Sequence, residues 1–379
     1  MRFSISKKKL QKYIQPLSMG LASKNTMPIL TNYKIQADSD KNLLKFTVTN
    51  LELTIVAHVN AEVHESGEVL TIAKELNEIV GLMPDSTINF EYIEDDFKIF
   101  CEDIKYNLHV ADLSLYPLIP NVDLENSIKC KGELLRKMIL HTEFAVSNDI
   151  NRPIFQGIYW DIRKDSLLMA ASDGKRFAEV IYPYQSNVEE EIDSVIPPKG
   201  LDFISKIVDS NDEVEFTIDK NKVVFRLPNY IVISNVLKGT YPSYQKVFEK
   251  KADNYLFVNK KEFMSAVKRT SLLASEDSYK IKMTLDDSTL TLSSENRDMG
   301  DAVEKIKDFD YNADPVVLGF NYRFLTSIIN AIETEEVKML VGDGELPVLF
   351  FNTDDFDEYQ AQYLIMPLLI KHWLLLTSH

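Results

Sequence analysis

Three stretches decide how this chain reads: Val69-Leu-Thr-Ile-Ala-Lys-Glu-Leu-Asn-Glu-Ile-Val80, Ser194-Val-Ile-Pro-Pro-Lys-Gly-Leu-Asp-Phe-Ile-Ser205 and Pro315-Val-Val-Leu-Gly-Phe-Asn-Tyr-Arg-Phe-Leu-Thr326. Each reads as an apolar strand, a turn and a short amphipathic helix. Taking Ile72, Ile196 and Leu318 as equivalent gives spacings of 124 and 122 residues. A second landmark keeps the same phase. Val48-Thr-Asn50-Leu-Glu, Ala171-Ser-Asp173-Gly-Lys and Ser294-Glu-Asn296-Arg-Asp each end an apolar strand in a polar turn, and Asn50, Asp173 and Asn296 lie 123 residues apart each time. Asn and Asp suit such turns because they tolerate left-handed backbone and bond nearby main-chain N–H groups. A fixed internal period marks a chain built from copies of one unit.

Working outward, each copy opens with a second helical pattern. Leu10, Ile14, Leu17 and Leu21 step at helical intervals, as do Leu135, Met138 with Ile139, Thr142 and Val146, and then Phe263, Val267, Thr270 and Ala274. Short alternating runs separate the helices, such as Val214–Ile218 and Val223–Leu227 around a turn at Asp219–Asn221. The pattern predicts an α+β fold, antiparallel sheets with helices on one face, repeated three times. The predicted domains are residues 1–124, 125–250 and 251–370, with polar linkers near 120–127 and 248–254 and a tail at 371–379. A length of 379 residues suits two or three domains, and 45% apolar residues suffice for their cores.

Charge is unevenly spread. The chain has 42 Lys and Arg against 58 Asp and Glu, a net −16. The opening helices carry +4, +1 and +3 and the second helices −1, +1 and +1, together +9, which leaves −25 for the rest. A basic surface on an acidic body can hold a polyanion on one face and repel it elsewhere. The overall acidity excludes a protein that grips nucleic acid tightly all round.

Catalytic and metal chemistry find little support. Cys101 and Cys130 form no CxxC pair and no zinc spacing, so no metal and no disulfide framework are expected, and the compartment reads as reducing. His58, His64, His109 and His141 do not fall at ligand spacing, and Glu189–Asp193 reads as solvated surface. No phosphate-binding glycine motif is present, and no cofactor is expected. No apolar run approaches a membrane span and no signal peptide is visible, so a cytoplasmic protein without membrane contact is expected.

The three-copy layout, with Thr26-Met-Pro-Ile-Leu30, Ala171-Ser-Asp-Gly-Lys-Arg-Phe177, Gly239-Thr-Tyr-Pro-Ser-Tyr244, Gly319-Phe-Asn321 and Tyr363-Leu-Ile-Met-Pro-Leu368, resembles the bacterial DNA polymerase III beta subunit, the replicative sliding clamp. The likeness spans residues 1 to about 370. It implies a head-to-tail homodimeric ring with sheets outside and helices lining a hole for duplex DNA. It implies docking of the DNA polymerase III catalytic subunit, other polymerases and repair proteins through short peptides, and opening by a clamp loader. It implies processivity and no catalysis.

The implied peptide pocket falls on Arg152, Phe155, Ser172, Gly174, Lys175, Arg176 and Phe177, on Pro242, Lys246 and Val247, and on Tyr279, Asn321, Phe324, Val348, Ile365, Met366, Pro367 and Leu368. Lys175 stands where the family often has His, Ser172 where it often has Thr, and Leu369 where a basic residue is usual. The implied DNA-facing residues are Lys12, Lys24, Arg136, Lys137, Lys260, Lys268 and Arg269. The implied dimer contact sets Lys74, Lys105, Tyr106 and Leu108 against Leu272, Leu273, Glu295, Asp298, Asp301 and Glu304. Two other classes compete: a repeat-built interaction scaffold that never meets DNA, and an enzyme with a site at a domain boundary. The helix charge favours the clamp over the scaffold, and the missing nucleophile, base and metal sets disfavour the enzyme. The tail, with Trp373-Leu-Leu-Leu376, reads either as an appendage or as an apolar segment that occludes a pocket.

Overall fold

The three turns in phase form as their side chains demand. Asn50 Oδ1 accepts from the N–H groups of Glu52 and Leu53 at 3.0 and 2.8 Å. Asp173 Oδ1 accepts from Lys175 and Arg176 at 2.9 and 3.0 Å, and Asn296 Oδ1 from Asp298 at 3.0 Å. The computed structural model describes residues 1–22, 27–119, 124, 127–186, 191–249, 252–286, 288–353 and 359–369. Its α-helices among these are α1 (Lys7–Ile14), α2 (Ala73–Leu82), α3 (Gly132–Thr142), α4 (Pro198–Ile207), α5 (Gln245–Glu249), α6 (Lys260–Ser271) and α7 (Tyr322–Ala331). None of them is long and apolar enough to cross a membrane.

Helix starts refine the repeat. α2, α4 and α7 begin at residues 73, 198 and 322, and each buries a leucine on its fourth residue, Leu76, Leu201 and Leu325. The counterpart of Ile72 is therefore Asn321 and not Leu318. The long apolar run of strand Val316–Asn321 brings an aliphatic residue to the landmark three positions early. In the first and third copies the strand enters the helix directly, without the expected turn.

Helices α1, α3 and α6, one opening each copy, share an anchor. The first N–H of each donates to a loop carbonyl: Lys7 to Ser86 at 2.9 Å, Gly132 to Asp212 at 2.7 Å and Lys260 to Glu335 at 2.8 Å. Two of the three first residues are lysines whose ammonium groups satisfy carbonyls at the end of the neighbouring helix. Lys7 Nζ donates to Gly81 and Met83 at 2.9 and 2.6 Å, and Lys260 Nζ to Ile332. The last carbonyls of a helix lack intrahelical partners and attract cations. The middle copy solves the same joint with glycine. A Cβ on Gly132 would lie 2.4 Å from Val208 Cγ2 and 2.6 Å from the Asp209 carbonyl oxygen.

The chain divides into two compact units, Met1–Ile139 with Ile196–Lys238, and Leu140–Val195 with Gly239–His379. The middle copy contributes to both. In the first unit a five-stranded antiparallel sheet runs Glu62–Glu65, Arg2–Ser6, Thr87–Ile93, Asp96–Cys101, Ile104–His109. An eight-stranded sheet joins four strands of the middle copy to four of the first through Tyr230–Asn235 on Leu53–Asn60, with Tyr230 opposite Ala57 and Ser234 opposite Leu53. In the second unit a nine-stranded sheet joins middle and third copies through Arg176–Pro183 on Gln360–Ile365, with Arg176 opposite Ile365. A four-stranded sheet runs Gly300–Ile306, Leu290–Asn296, Lys280–Leu285, Val316–Asn321. Alternation puts Ile281, Met283 and Leu285 in the core, where α6 and α7 pack with Leu325, Ile328 and Ile329 buried. In the first unit α1 packs on α2, and Phe3, Phe90 and Phe97 stack at 4.6 and 5.7 Å.

One pairing rule governs both shared sheets. The last strand of a copy joins the fourth strand of the copy before it. The last strand of the first copy, Ile104–His109, and the fourth strand of the last copy, Gly300–Ile306, are left as sheet edges.

Candidate functional site

The site grows from the Asp173 turn. Gly174 sits at φ +84°, a left-handed position that favours glycine, and a Cβ there would also lie 2.6 Å from Arg152 Nη1. Arg152 is fixed over this turn by donating to Asp149 Oδ2 at 3.0 Å and to the Asp173 carbonyl at 2.8 Å. Ser172 Oγ closes the turn, donating to the Arg176 carbonyl at 2.9 Å and accepting from Gly174 N–H at 3.0 Å. The Thr that the family often carries could make both bonds, so Ser172 keeps the turn chemistry.

Arg176 is the centre. Its Nε donates to Asp173 Oδ2 at 3.0 Å, with both side chains about seven-eighths buried (13% and 14% exposed). Its guanidinium lies 4.4 Å from the ring centre of Phe324 on α7 and 5.6 Å from that of Phe144, and donates to Ser327 Oγ at 3.3 Å. Burial pulls its pKa down, and the Asp173 charge opposes that shift. Such a cation between aromatic faces is a rigid, partly desolvated anchor.

The strand pairing brings the chain end to this point. Ile365 is opposite both Arg176 and Val348; Ile365 and Val348 are fully buried and act as floor. Met366 N–H donates to the Lys175 carbonyl at 2.8 Å while its side chain remains 41% exposed, and Leu368 N–H donates to the Gly319 carbonyl at 2.8 Å. Asn321 Oδ1 caps α7 by accepting from Arg323 N–H at 3.0 Å. Tyr279, at φ +51°, receives Tyr322 N–H on its carbonyl at 2.8 Å and stacks under Arg323, whose guanidinium is 3.7 Å from the ring centre.

A second wall is aromatic. Tyr241 stacks on Tyr159 at 5.0 Å and meets Phe155 at 5.6 Å; Tyr244 lies 4.5 Å from Phe177, which also meets Phe248 at 5.1 Å. Burial holds both phenol pKa values well above their ordinary range. Pro242, Lys246 and Val247 are exposed on this wall. Asp173, Phe144, Ser327, Tyr241, Tyr244 and Phe248 were not singled out as site residues from sequence. The Gly239–Tyr244 motif was the only signal for two of them. A cavity of 1380 Å³ opens beside the site on the four-stranded sheet; of the expected pocket residues only Leu368 lines it, with Lys280, Glu295 and Asp301.

The expected basic residues separate into groups. Lys12, Arg136 and Lys268 are exposed, and no ion pair engages them among the described residues. Lys137 is half-buried. Lys260 is half-buried and committed to the Ile332 carbonyl. Arg269 forms a bidentate pair with Glu304, which holds that carboxyl below its usual range; the pair couples an expected DNA contact to an expected interface acid. Lys24 and the tail 371–379 lie outside the described residues.

The expected interface residues sit on the leftover edges. Lys105, Tyr106 and Leu108 belong to edge strand Ile104–His109, and Asp301 and Glu304 to edge strand Gly300–Ile306, where Val303 is 61% exposed. Leu272 is 74% exposed at the end of α6, and Leu273 is half-buried. Lys74 is exposed and pairs with Glu78 at 3.6 Å. Glu295 and Asp298 are exposed. Among the described residues no cluster of three His, Cys, Asp or Glu could hold a metal.

Three copies of one α+β unit, joined by shared sheets, define a three-domain clamp fold. Three family models cover nearly the whole chain: the N-terminal, central and C-terminal domains of the DNA polymerase III beta subunit match residues 1–120, 129–243 and 245–369. The chain belongs to the DNA polymerase III beta subunit family. It is 28% identical over 368 residues to the beta sliding clamp of Bacillus subtilis, covering 94% of this chain and 97% of the relative. The crystal structure of the Bacillus subtilis clamp superimposes with a TM-score of 0.88 at 26% identity, covering 98% and 100% of the two chains. The Bartonella birtlesii sliding clamp, solved with griselimycin bound, gives 0.91 at 25% identity with the same coverage. The function is that of a DNA sliding clamp, a non-catalytic processivity subunit.

Proposed function

We propose that two copies of this chain close head to tail into a ring around duplex DNA, with domains bounded at residues 124 and 250 and the tail beyond 370. The carrying observation is the pair of leftover edges. A junction already used twice within the chain has its two remaining halves at Ile104–His109 and Gly300–Ile306. Unpaired strand edges are templates for pairing with another chain, and charged Lys105 facing Asp301 and Glu295 would set the register. Lys12, Arg136 and Lys268, exposed on helices, supply phosphate contacts that carry no sequence information and permit sliding.

The cleft around Arg176, Phe324, Met366 and the Tyr241–Phe248 wall takes short apolar peptides from the polymerase III catalytic subunit, other polymerases and repair proteins. It also takes griselimycin, the compound carried by the Bartonella relative. A clamp loader opens the ring, and the protein acts in the cytoplasm. The test is retention on DNA. Loaded protein should stay on a nicked circle and leave at once when the circle is cut. Equal retention on both forms, or sequence preference, would refute encirclement.

A further inference from the structure

The arginines around the cleft differ in what neutralises them. Arg152 pairs with Asp149 and Arg176 with Asp173, each at 3.0 Å. Arg323, the second residue of α7, is exposed, and no ion pair engages it among the described residues. Glu276 and Asp277, three and two residues before Tyr279, are exposed and form no ion pair with it. Its guanidinium is seated instead over the ring of Tyr279, 3.7 Å from the ring centre, closer than Arg176 comes to Phe324 at 4.4 Å. Tyr279 is an unusual platform. Its φ of +51° lies in the left-handed region, which aromatic residues rarely enter. It is fixed there from both sides, its N–H donating to the Ser275 carbonyl and its own carbonyl accepting from Tyr322 N–H, both at 2.8 Å. Its ring also meets that of Tyr322 edge-on at 5.9 Å. Backbone strain of this kind persists only where the surroundings over-determine it, and it concentrates at ligand clamps.

The same helix joins Arg323 to the centre of the cleft. Arg176 Nη1 donates to Ser327 Oγ at 3.3 Å, and Ser327 Oγ donates to the Arg323 carbonyl at 2.8 Å. Phe324, the next residue, carries the Arg176 guanidinium on its ring. Lys175 and Lys246 are exposed on the same cleft, and no ion pair engages them among the described residues. Three cations without an acid therefore gather at one place on a chain of net −16, and of these only Arg323 is held by a ring. We infer that Arg323, held over Tyr279, is a specificity-determining residue that pairs with a carboxylate of the docking peptide, so that the cleft selects peptides carrying an acidic residue beside their apolar anchors. The inference deepens the cleft assignment above and rests on it. A guanidinium takes a carboxylate through two parallel N–H bonds, and one already seated on a ring loses little freedom in doing so.

Selection from a peptide library on the full chain tests it. Random hexapeptides displayed on phage are bound to the protein and eluted with griselimycin, which releases those held in the cleft. The wild-type pool should carry Asp and Glu at about three times their input frequency at one position. The Arg323→Ala pool should return to the input frequency there, and the Arg323→Glu pool should favour Lys and Arg instead. A synthetic peptide from the wild-type pool should bind wild type about tenfold more tightly than its Asn or Gln counterpart, and Arg323→Ala should bind the two equally. Both variants should keep the wild-type thermal midpoint, because the side chain is exposed. A wild-type pool without acidic enrichment would overturn the inference. So would the same enrichment in the Arg323→Ala pool, which would assign the selection to other cations. Equal weakening of the acidic peptide and its neutral counterpart by Arg323→Ala would also overturn it, since that marks a merely structural residue. If griselimycin elutes no phage from the wild type, the cleft assignment itself fails and the inference with it.

Discussion

Replacing Leu272 with Asp should split the dimer. Leu272 is 74% exposed at the end of α6, close in sequence to Arg269, which pairs with Glu304 on the edge strand. Burying a whole leucine is worth about 1.5–3 kcal/mol, so covering three-quarters of one contributes about 1–2 kcal/mol. A closed ring of two chains contains the junction twice. The loss per ring is then about 2–4 kcal/mol, or roughly 30- to 1,000-fold in the dissociation constant, before any cost of burying the new charge. Sedimentation equilibrium at micromolar concentration is the assay. Wild type should run at twice the 43.5 kDa chain mass and Leu272→Asp as monomer with an unchanged thermal midpoint. Ile150→Asp, at an 80% exposed site that belongs to neither edge strand, should remain dimeric. A monomeric wild type, or a Leu272→Asp protein that associates like wild type, would refute the edge argument.

The cleft and the helices give further expectations. Met366→Ala should weaken griselimycin by about 2 kcal/mol, roughly thirtyfold, with stability unchanged, because the side chain is a half-open anchor. Arg176→Ala should weaken it similarly and also lower stability by about 2–3 kcal/mol, since it leaves Asp173 largely buried without its cation; titration calorimetry and urea unfolding separate the two. Reversing Lys12, Arg136 and Lys268 to Glu should shorten retention on nicked circles and flatten its salt dependence, by about 0.9 in log–log slope for each phosphate left unneutralised, with stability unchanged. Lys260→Glu should behave in the opposite way, destabilising the fold by about 1–3 kcal/mol because it sets a carboxylate against the last carbonyls of α7. If Lys260→Glu is fully stable and only DNA retention falls, the capping role is wrong.

The repeat was legible because it rests on local chemistry. Asn50, Asp173 and Asn296 each bond the next turn of their own chain, so a residue type and a spacing carry the whole signal. The helices were legible for the same reason. What a lysine does within a helix was not. Lys260 and Lys268 have the same composition-level meaning, but Lys260 is the first residue of α6 and meets the end of α7, while Lys268 lies two turns on and faces solvent. Nor was the Arg269–Glu304 pair, whose partners are 35 residues apart, or the bond between Glu179 and Gln362, 183 residues apart. These depend on which strands become neighbours, and no window of sequence contains that.

The strand pairing also explains why three copies do not make a finished object. Each internal junction consumes the last strand of one copy and the fourth strand of the copy before it. A chain of such copies, whatever their number, always retains one strand of each kind, here Ile104–His109 and Gly300–Ile306. The two leftovers are the complementary halves of the same joint, so any chain presents to its neighbour what the neighbour lacks. A head-to-tail contact of this kind either closes on itself or propagates without end. Closure removes every edge of this kind, whereas propagation leaves one at each end, and exposed edges invite aggregation. A junction with one fixed pairing rule therefore favours a ring, and the turn accumulated per copy sets how many chains complete it.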